Sequence, residues 1–276
     1  MGGMRGPAMP ERDVRIPTGD RELDCFLAFP EGAAGRHPAV VVIHEIFGVD
    51  AHIRDVARRF AAEGYVAAAP NLFTGEFQKV LTPQNIGLAM QAFAQAPPEL
   101  RRNPERMREF AESQPPERRP VLAVLGQVTN PVQQGAFAHD LRSVTQYLRT
   151  LPEVDPTRVG SVGFCFGGAM SARLATVDPD LRAAVIFYGQ NPPLDEVPRI
   201  RASILGLYGG EDHGITDTVP EFEAAMKKAG QRFRYHVYPG AKHAFFNDTR
   251  PQIYHQESAE DAWKRVLGFY ATDLKA

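Results

Sequence analysis

The sequence predicts an α/β protein with a doubly wound, mostly parallel β-sheet, flanked by helices and carrying a helical insertion. Apolar runs of strand length alternate with segments of helical periodicity at 39–70 and again from about residue 136 onward. The most apolar run, AVVVIHE at 39–45, lacks polar alternation, which is typical of a strand buried on both faces of a parallel sheet. Right-handed crossovers are expected between such strands.

The individual elements follow from pattern and punctuation. Strands DVRIP and RELDCFLAFP, at 13–17 and 21–30, show partial alternation and predict an antiparallel start. A helix with one apolar face at 53–61 ends at Gly64, and strand YVAAAP follows. The later elements are a helix over about 136–150, strand RVGSVGF, a helix from Gly167, strands AAVIFYG and ASILGLYGG, helix VPEFEAAMKKAG, strand RFRYHVYPG and a last helix over about 257–274.

The chain is interpreted as one domain with an N-terminal arm. Residues 1–11 are rich in Gly, Pro and Met and predict a flexible arm, and 12–276 form the single α/β domain. Residues 75–132 interrupt the strand-helix alternation with a Pro- and Arg-rich stretch that has two short helical candidates and no clear strand. Such a long connection is usually functional or disordered, so 75–132 is interpreted as a cap-like or lid-like insertion, with a solvated insertion as the alternative.

Composition excludes several classes of partner. The 276 residues carry a net charge of −2 with scattered Lys and Arg, so neither nucleic acid nor membrane is an expected partner. No apolar run reaches membrane-spanning length and the N-terminal segment lacks a signal-peptide h-region, so a cytoplasmic location is expected. Cys25 and Cys165 are far apart and lack a CxxC pattern, so neither a disulfide framework nor a set of cysteine metal ligands is expected.

Cys165 lies in an unusual setting. VGFCFGGA at 162–169 places it between Gly163 and Gly167 at a strand-to-helix junction, the spacing of a G-x-nucleophile-x-G elbow. Glycines two residues before and after the nucleophile allow the backbone to reverse sharply. A helix N-terminus favours the thiolate, so Cys165 is a candidate nucleophile. The alternative is an inert cysteine at a tight junction.

Two partners for Cys165 follow in the expected order. Asp212 comes directly after ASILGLYGG and His243 follows RFRYHVYPG, so both lie at the carboxyl ends of predicted strands. His243 is predicted to exchange a proton with Cys165 while Asp212 orients the imidazole, with Glu211 or Asp217 as alternative acids. The following histidines are expected to be structural or surface residues: His44, His139, His213 and His255.

The chain resembles the dienelactone hydrolase family of the α/β-hydrolase fold. The resemblance is carried by HEIFGVDAHIRDVARRFAAEGYVAAAPNLF at 44–73, VGFCFGGAMS at 162–171, LYGGEDHGI at 207–215 and YPGAKHAFFND at 238–248. It implies a Cys-Asp-His triad formed by Cys165, Asp212 and His243. It also implies that Glu45 contacts the cysteine and helps to generate its thiolate. A structural pairing of Glu45 with Arg54 is the alternative.

The α/β-hydrolase fold further implies an oxyanion hole. The two donors of this oxyanion hole would be the backbone amides of Ile46 and Phe166.

The residues after His243 bear on the substrate class. In dienelactone-specific members a Ser follows the catalytic His and an Arg comes three residues later. Here Ala244 and Asn247 occupy these positions, which weakens the case for dienelactone itself because a carboxylate pocket needs a fixed cation.

The leading hypothesis is a cysteine-dependent hydrolase of a small-molecule ester or lactone. The hydrolytic mechanism of such an enzyme requires no metal and no organic cofactor. The alternative is a non-catalytic ligand-binding α/β-hydrolase homologue, although such a protein would not need nucleophile, base and acid in this order. A redox role for Cys165 is disfavoured because Cys25, expected on an edge strand, is far away in sequence. The sequence leaves a homodimer open.

Overall fold

The computed structural model of the protein describes residues 10–32, 35–96 and 104–275. Of the expected arm at 1–11, only the last two residues fall within these ranges, and residue 11 already belongs to the first strand. Residues 97–103 of the insertion also lie outside the described residues.

The strands are β1 (Glu11–Thr18), β2 (Arg21–Ala28), β3 (His37–Ile43), β4 (Val66–Pro70), β5 (Val154–Phe164), β6 (Ala183–Phe187), β7 (Ser203–Gly209) and β8 (Phe233–Tyr238).

The described strands form one eight-stranded sheet in the order β1-β2-β4-β3-β5-β6-β7-β8. β2 pairs antiparallel with both β1 and β4, and every other neighbouring pair from β4 to β8 is parallel. The predicted doubly wound, mostly parallel sheet with an antiparallel start is therefore confirmed. Because the parallel strands run the same way, the loops after β3, β5, β6, β7 and β8 leave the same edge of the sheet.

Helices cover both faces of this sheet. They are α1 (Ala51–Ala62), α2 (Glu76–Val80), α3 (Pro83–Gln95), α4 (Pro104–Ser113), α5 (Arg119–Val128), α6 (Pro131–Thr150), α7 (Phe166–Val177), α8 (His213–Thr216), α9 (Val219–Lys228) and α10 (Gln256–Asp273). One apolar core joins the sheet to α1 and α10, and a second joins the other face to α6, α7 and α9. Asp50 caps α1 by accepting a hydrogen bond from the Ile53 amide at 3.0 Å.

The insertion is more helical than its sequence pattern indicates. α2, α3, α4 and α5 all lie between 75 and 132, where the sequence offers two short helical candidates. Its prolines do not only interrupt structure, because Pro83 begins α3 and Pro104 begins α4, and proline suits a first helical turn. Apolar side chains of α3 and α5 join the core formed with α6 and α7. A cap or lid role for the segment stays a prediction.

The described helices include none that combines the length and the apolar character needed to cross a membrane.

Arg21 connects three parts of the structure. From β2 its guanidinium contacts the carboxylate of Asp140 on α6, with Nε 3.0 Å from Oδ2. It also donates to the carbonyl oxygens of Leu72 and Thr74, at 3.2 and 3.4 Å, in the segment after β4. The side chains of Arg21 and Asp140 are 28% and 12% exposed, so water replaces these bonds poorly.

We expect Arg21→Met to lower the free energy of unfolding by about 1–3 kcal/mol, because Asp140 and two carbonyls lose a charged donor while they stay largely covered. Arg15→Met is the matched control. Arg15 pairs with Asp24 on the same hairpin but is 69% exposed, and its loss should change stability by less than about 0.5 kcal/mol. Urea unfolding followed by circular dichroism measures both. Equal decreases in the free energy of unfolding of the two variants would contradict the conclusion that the partly buried contacts of Arg21 stabilise the fold.

Candidate active site

Cys165 lies on a sharp reversal between β5 and α7. Its backbone has φ 55° and ψ −115°, in the left-handed half of conformational space that a non-glycine residue adopts at a cost. The flanking glycines explain how the chain fits. A Cβ at Gly163 would lie 1.8 Å from the Gly167 carbonyl oxygen, and one at Gly167 would lie 2.2 Å from the Ile43 carbonyl oxygen. Larger residues at 163 or 167 would therefore force the segments apart.

The two cysteines differ in their surroundings. Cys165 is partly exposed at the start of the 12-residue helix α7, whose N-terminus favours an anion. Cys25 is buried on β2, which is the second strand and is covered by β1 at the sheet edge. Burial raises the pKa of Cys25 far above the ordinary thiol range, so it remains a neutral thiol. Only Cys165 has the setting of a reactive thiol.

Asp212 and His243 meet at the carboxyl edge of the sheet. Asp212 follows β7 at the position just before α8, and His243 lies in the loop after β8. The His243 Nδ1 atom is 2.6 Å from the Asp212 Oδ2 atom, which leaves Nε2 free to face the sulfur. Of the alternative acids, Glu211 is exposed and Asp217 lies 3.4 Å from the surface residue His213. Among these acids Asp212 is therefore the one positioned to orient His243.

The electrostatics of His243 tie it to Cys165. Burial of the ring lowers its pKa, but the negative charge at Cys165 and hydrogen bonds with Asp212 and Cys165 outweigh burial. The charge of Asp212 adds to them, and together they raise the pKa of His243 to about 11. The raised pKa favours the charged imidazolium form of His243 at its position between Asp212 and Cys165.

Glu45 is buried directly beyond β3. Its carboxylate accepts a hydrogen bond of 2.6 Å from the Asn247 Nδ2 atom, and its residue is 3% exposed. Burial raises the pKa of Glu45, against the opposing effects of His52, Asn247 and Arg250. Arg54, the alternative partner considered from the sequence, instead lies 2.9 Å from Asp13. Glu45 thus shares a hydrogen bond with Asn247, which in the sequence stands out only as a departure from the family pattern.

The two predicted oxyanion donors lie on adjoining segments. Phe166 is the first residue of α7, so its amide has no acceptor within the helix. Ile46 follows Glu45 in the loop after β3. The close approach of Gly167 to the carbonyls of Ile43 and His44 packs this loop against the first turn of α7. The sharing of one oxyanion by these two amides stays a prediction.

His44 holds this loop in place. Its Nδ1 atom lies 2.5 Å from the Glu45 carbonyl oxygen, and its Nε2 atom accepts a hydrogen bond of 3.0 Å from the Leu72 amide. An acceptor at Nε2 requires the neutral ring with the proton on Nδ1. Burial lowers the pKa of His44 to about 4, which agrees with a neutral ring. His44 is a structural residue of the site.

Tyr188 belongs to the site and was missed in the sequence. It follows β6 with a positive φ of 38°, and its ring packs edge-on against His243 at a centroid distance of 5.2 Å. Its hydroxyl is buried and has no hydrogen-bond partner among the described residues. Burial, followed by the charges of Glu45 and Cys165, raises its pKa well above 10, so the hydroxyl keeps its proton. Its place at the carboxyl end of a predicted parallel strand was the available signal.

Arg250 supplies a positive charge near this cluster. Its guanidinium lies 3.8 Å from the centroid of the Phe47 ring, within cation–π range. Its charge lowers the pKa values of both Glu45 and Tyr188, which places it within electrostatic reach of the site. No motif marks this arginine in the sequence. In the part of the chain that the structure describes, no group of three His, Cys, Asp or Glu side chains could hold a metal ion.

Comparison with known proteins gives consistent matches over almost the whole chain. The profile of the family described as "Dienelactone hydrolase family" matches residues 23–274. Two relatives named "Putative carboxymethylenebutenolidase" are 36% identical over 260 residues in Saccharolobus solfataricus and 34% identical over 277 residues in Synechocystis. These alignments cover 94% and 95% of this chain, and 97% and 96% of the relatives.

A solved structure agrees with these matches. The crystal structure titled "Putative Dienelactone Hydrolase" from Klebsiella pneumoniae is 33% identical, with a TM-score of 0.72. The match covers 96% of this chain and 99% of that one. Sequence and structure therefore point to the same group of proteins.

We expect Gly167→Ala to destabilise the protein by about 3 kcal/mol or more, or to prevent folding, because the added Cβ would clash with backbone atoms of β3 that cannot rotate away. Gly268→Ala is the control. Gly268 is an exposed residue of α10 with no atom within 4 Å of an added Cβ, and alanine there should stabilise by about 0.5–1 kcal/mol. Thermal unfolding compares the two. A mild effect at Gly167 would refute the steric explanation of the elbow.

We expect Asp212→Asn to lower the pKa of His243 below its value of about 11, because the ring loses an anionic hydrogen-bond acceptor. The raised pKa contributes stability that is complete below the ordinary value of 6.5 and is lost as pH rises toward 11. NMR titration of the imidazole resonances measures the change. Asp217→Asn, beside the exposed His213, should leave the His243 titration unchanged. An equal shift in both variants would contradict a specific Asp212 effect.

Proposed function

Because the chain belongs to the dienelactone hydrolase family, we propose that it hydrolyses small carboxylic esters or lactones with Cys165 as the nucleophile. The observation that carries this proposal is the series of side-chain hydrogen bonds from Asp212 through His243 to Cys165. Asp212 and His243 are 2.6 Å apart, and the pKa of His243 responds to the charge at Cys165. A strained elbow holds the sulfur at the helix N-terminus beside them.

In the first half of the proposed reaction, the Cys165 thiolate attacks the substrate carbonyl carbon and forms a C–S bond. The carbonyl π electrons move to oxygen, and the amides of Ile46 and Phe166 stabilise this oxyanion. When the tetrahedral intermediate collapses, the C–O bond to the leaving group breaks. The leaving oxygen takes the proton from His243, and a thioester to Cys165 remains.

In the second half, neutral His243 accepts a proton from water as the water attacks the thioester carbonyl. The same amides stabilise the second oxyanion. Collapse breaks the C–S bond, releases the carboxylic acid and restores the thiolate beside imidazolium. Asp212 keeps Nδ1 bonded throughout, so Nε2 is the nitrogen that exchanges the proton. One water is consumed in each turnover.

Glu45 is the second base that the family resemblance assigns to thiolate formation. A buried carboxylate with a raised pKa can accept a proton from a thiol when substrate displaces water. In this structure the Glu45 carboxylate is hydrogen-bonded to Asn247, whereas the contact with Cys165 raises the pKa of His243. We therefore assign the resting proton to His243 and an accessory role to Glu45.

The substrate class follows from the charges around the site. Two relatives carry the name "Putative carboxymethylenebutenolidase". This name denotes an enzyme that acts on a lactone bearing a carboxylate. At position 247 this chain has a buried asparagine, which supplies no positive charge. Arg250, stacked on Phe47, is the nearby cation that an acidic substrate group could meet. We propose a small ester or lactone as the substrate, with no requirement for a carboxylate.

The test is a panel of esters and lactones, with and without a carboxylate, on wild type, Cys165→Ser and Cys165→Ala. We expect kcat/KM of Cys165→Ala to fall by about a thousandfold or more, because no other group can form the acyl intermediate. Cys25→Ala is the matched control and should retain activity, since that thiol is buried on β2.

Two outcomes would change the conclusion. Wild type that is no faster than Cys165→Ala would favour the alternative of a non-catalytic ligand-binding protein. Carboxylated lactones that react much faster than neutral esters would contradict the proposed breadth and would restore dienelactone-like specificity.

A further inference from the structure

Asn247 is the residue that contacts Glu45, and none of it is exposed. It lies in the loop that carries His243, at the position where the family pattern has a substrate-binding arginine. Its side chain makes bonds in two directions. The Oδ1 atom accepts hydrogen bonds from the Thr249 amide at 3.1 Å and from the Thr249 hydroxyl at 2.6 Å. The Nδ2 atom donates to Glu45 Oε2 at 2.6 Å.

These bonds fix the orientation of the amide. Two donors from Thr249 require the oxygen of Asn247 on their side, so the NH₂ group must face Glu45. Aspartate has no donor for Glu45 when it is ionised, and leucine can neither accept nor donate. A short primary amide thus satisfies both neighbours, which explains asparagine at this position.

The amide also acts on the charge of Glu45. Burial penalises the carboxylate, and donation from Asn247 partly offsets that penalty. Several other ionisable groups face Glu45 from neighbouring elements: His52 from α1, Asp50 before α1, Tyr188 after β6 and Arg250 after the His243 loop. None of these four groups forms a hydrogen bond with the Glu45 carboxylate in the described part of the chain. Asn247 is therefore the residue whose hydrogen bond orients the Glu45 carboxylate.

We propose that Asn247, anchored by Thr249, is a positioning residue that holds the Glu45 carboxylate in one orientation and takes no part in binding substrate. Its polar atoms are occupied by protein groups, and its side chain is enclosed. The family position that would hold a substrate carboxylate therefore serves an internal carboxylate here. The kinetic consequence rests on the proposed function, whereas the effect on Glu45 itself does not.

The direct test follows the ionisation of Glu45 by NMR of ¹³C-labelled glutamate side chains, with Glu45→Gln used to assign the resonance. In Asn247→Leu, of similar size, the titration midpoint of Glu45 should rise by about one pH unit, because the carboxylate loses its donor. Thr249→Val removes one of the two anchoring donors at an exposed position, so it should fold and shift the midpoint less, in the same direction.

Asn191→Leu is the matched control. Asn191 also pairs with a threonine, since its Nδ2 atom donates to both the carbonyl and the hydroxyl oxygen of Thr218 at 3.0 Å. Its loss should leave the Glu45 midpoint unchanged. Unchanged midpoints in both Asn247→Leu and Thr249→Val would overturn the proposal. If Asn247→Leu does not fold, Thr249→Val alone decides by the same criterion.

Kinetics distinguish positioning from substrate binding. In Asn247→Leu we expect kcat for the best ester of the panel to fall on the order of tenfold, with its acid limb moved to higher pH and KM changed by less than about twofold. A raised KM with unchanged kcat and unchanged Glu45 titration would show that Asn247 binds substrate and would overturn the proposal. If wild type hydrolyses no ester, the proposed function fails, but the NMR titration still decides the role of Asn247.

Discussion

The close passage of backbone at the β5–α7 reversal is the constraint on which the rest of the site depends. Added Cβ atoms at Gly163 or Gly167 would meet backbone atoms at about 2 Å, so the chain can turn only because they are absent. The turn leaves Cys165 in a strained conformation with its thiol partly exposed. It also presses the first turn of α7 against the loop after β3. The candidate nucleophile Cys165 and both candidate oxyanion amides therefore depend on the same steric condition.

The parallel sheet supplies the remaining groups at the same edge. Loops after β3, β6, β7 and β8 bring Glu45, Tyr188, Asp212 and His243 around the end of β5. Neutral His44 fixes the first of these loops through both ring nitrogens. Precision in the site thus comes from the fold and from short hydrogen bonds together.

Much of this arrangement could be predicted from the sequence, for identifiable reasons. Strands buried on both faces have a continuous apolar pattern, and the order of Cys165, Asp212 and His243 along the chain follows strand ends. The Asn247–Glu45 bond could not be predicted, because it joins residues 202 positions apart and depends on one amide orientation. Tyr188 resembled an ordinary core residue at the end of β6. The helices of the insertion were obscured by prolines that begin helices as readily as they end them.

The proposed mechanism brings several charges close together at Cys165. In that mechanism a thiolate at Cys165 and carboxylates at Asp212 and Glu45 would place three negative charges near a single imidazolium at His243. The protonated Tyr188 hydroxyl, the Asn247 amide and the Arg250 cation offset this excess without transferring protons. In its proposed accessory role a Glu45 carboxylate that took up the thiol proton would become neutral, whereas one that stayed ionised beside the sulfur would disfavour the thiolate. If Asn247 holds Glu45 as proposed, the carboxylate is engaged by an amide donor, which would allow a thiolate and a buried carboxylate to coexist in one small site.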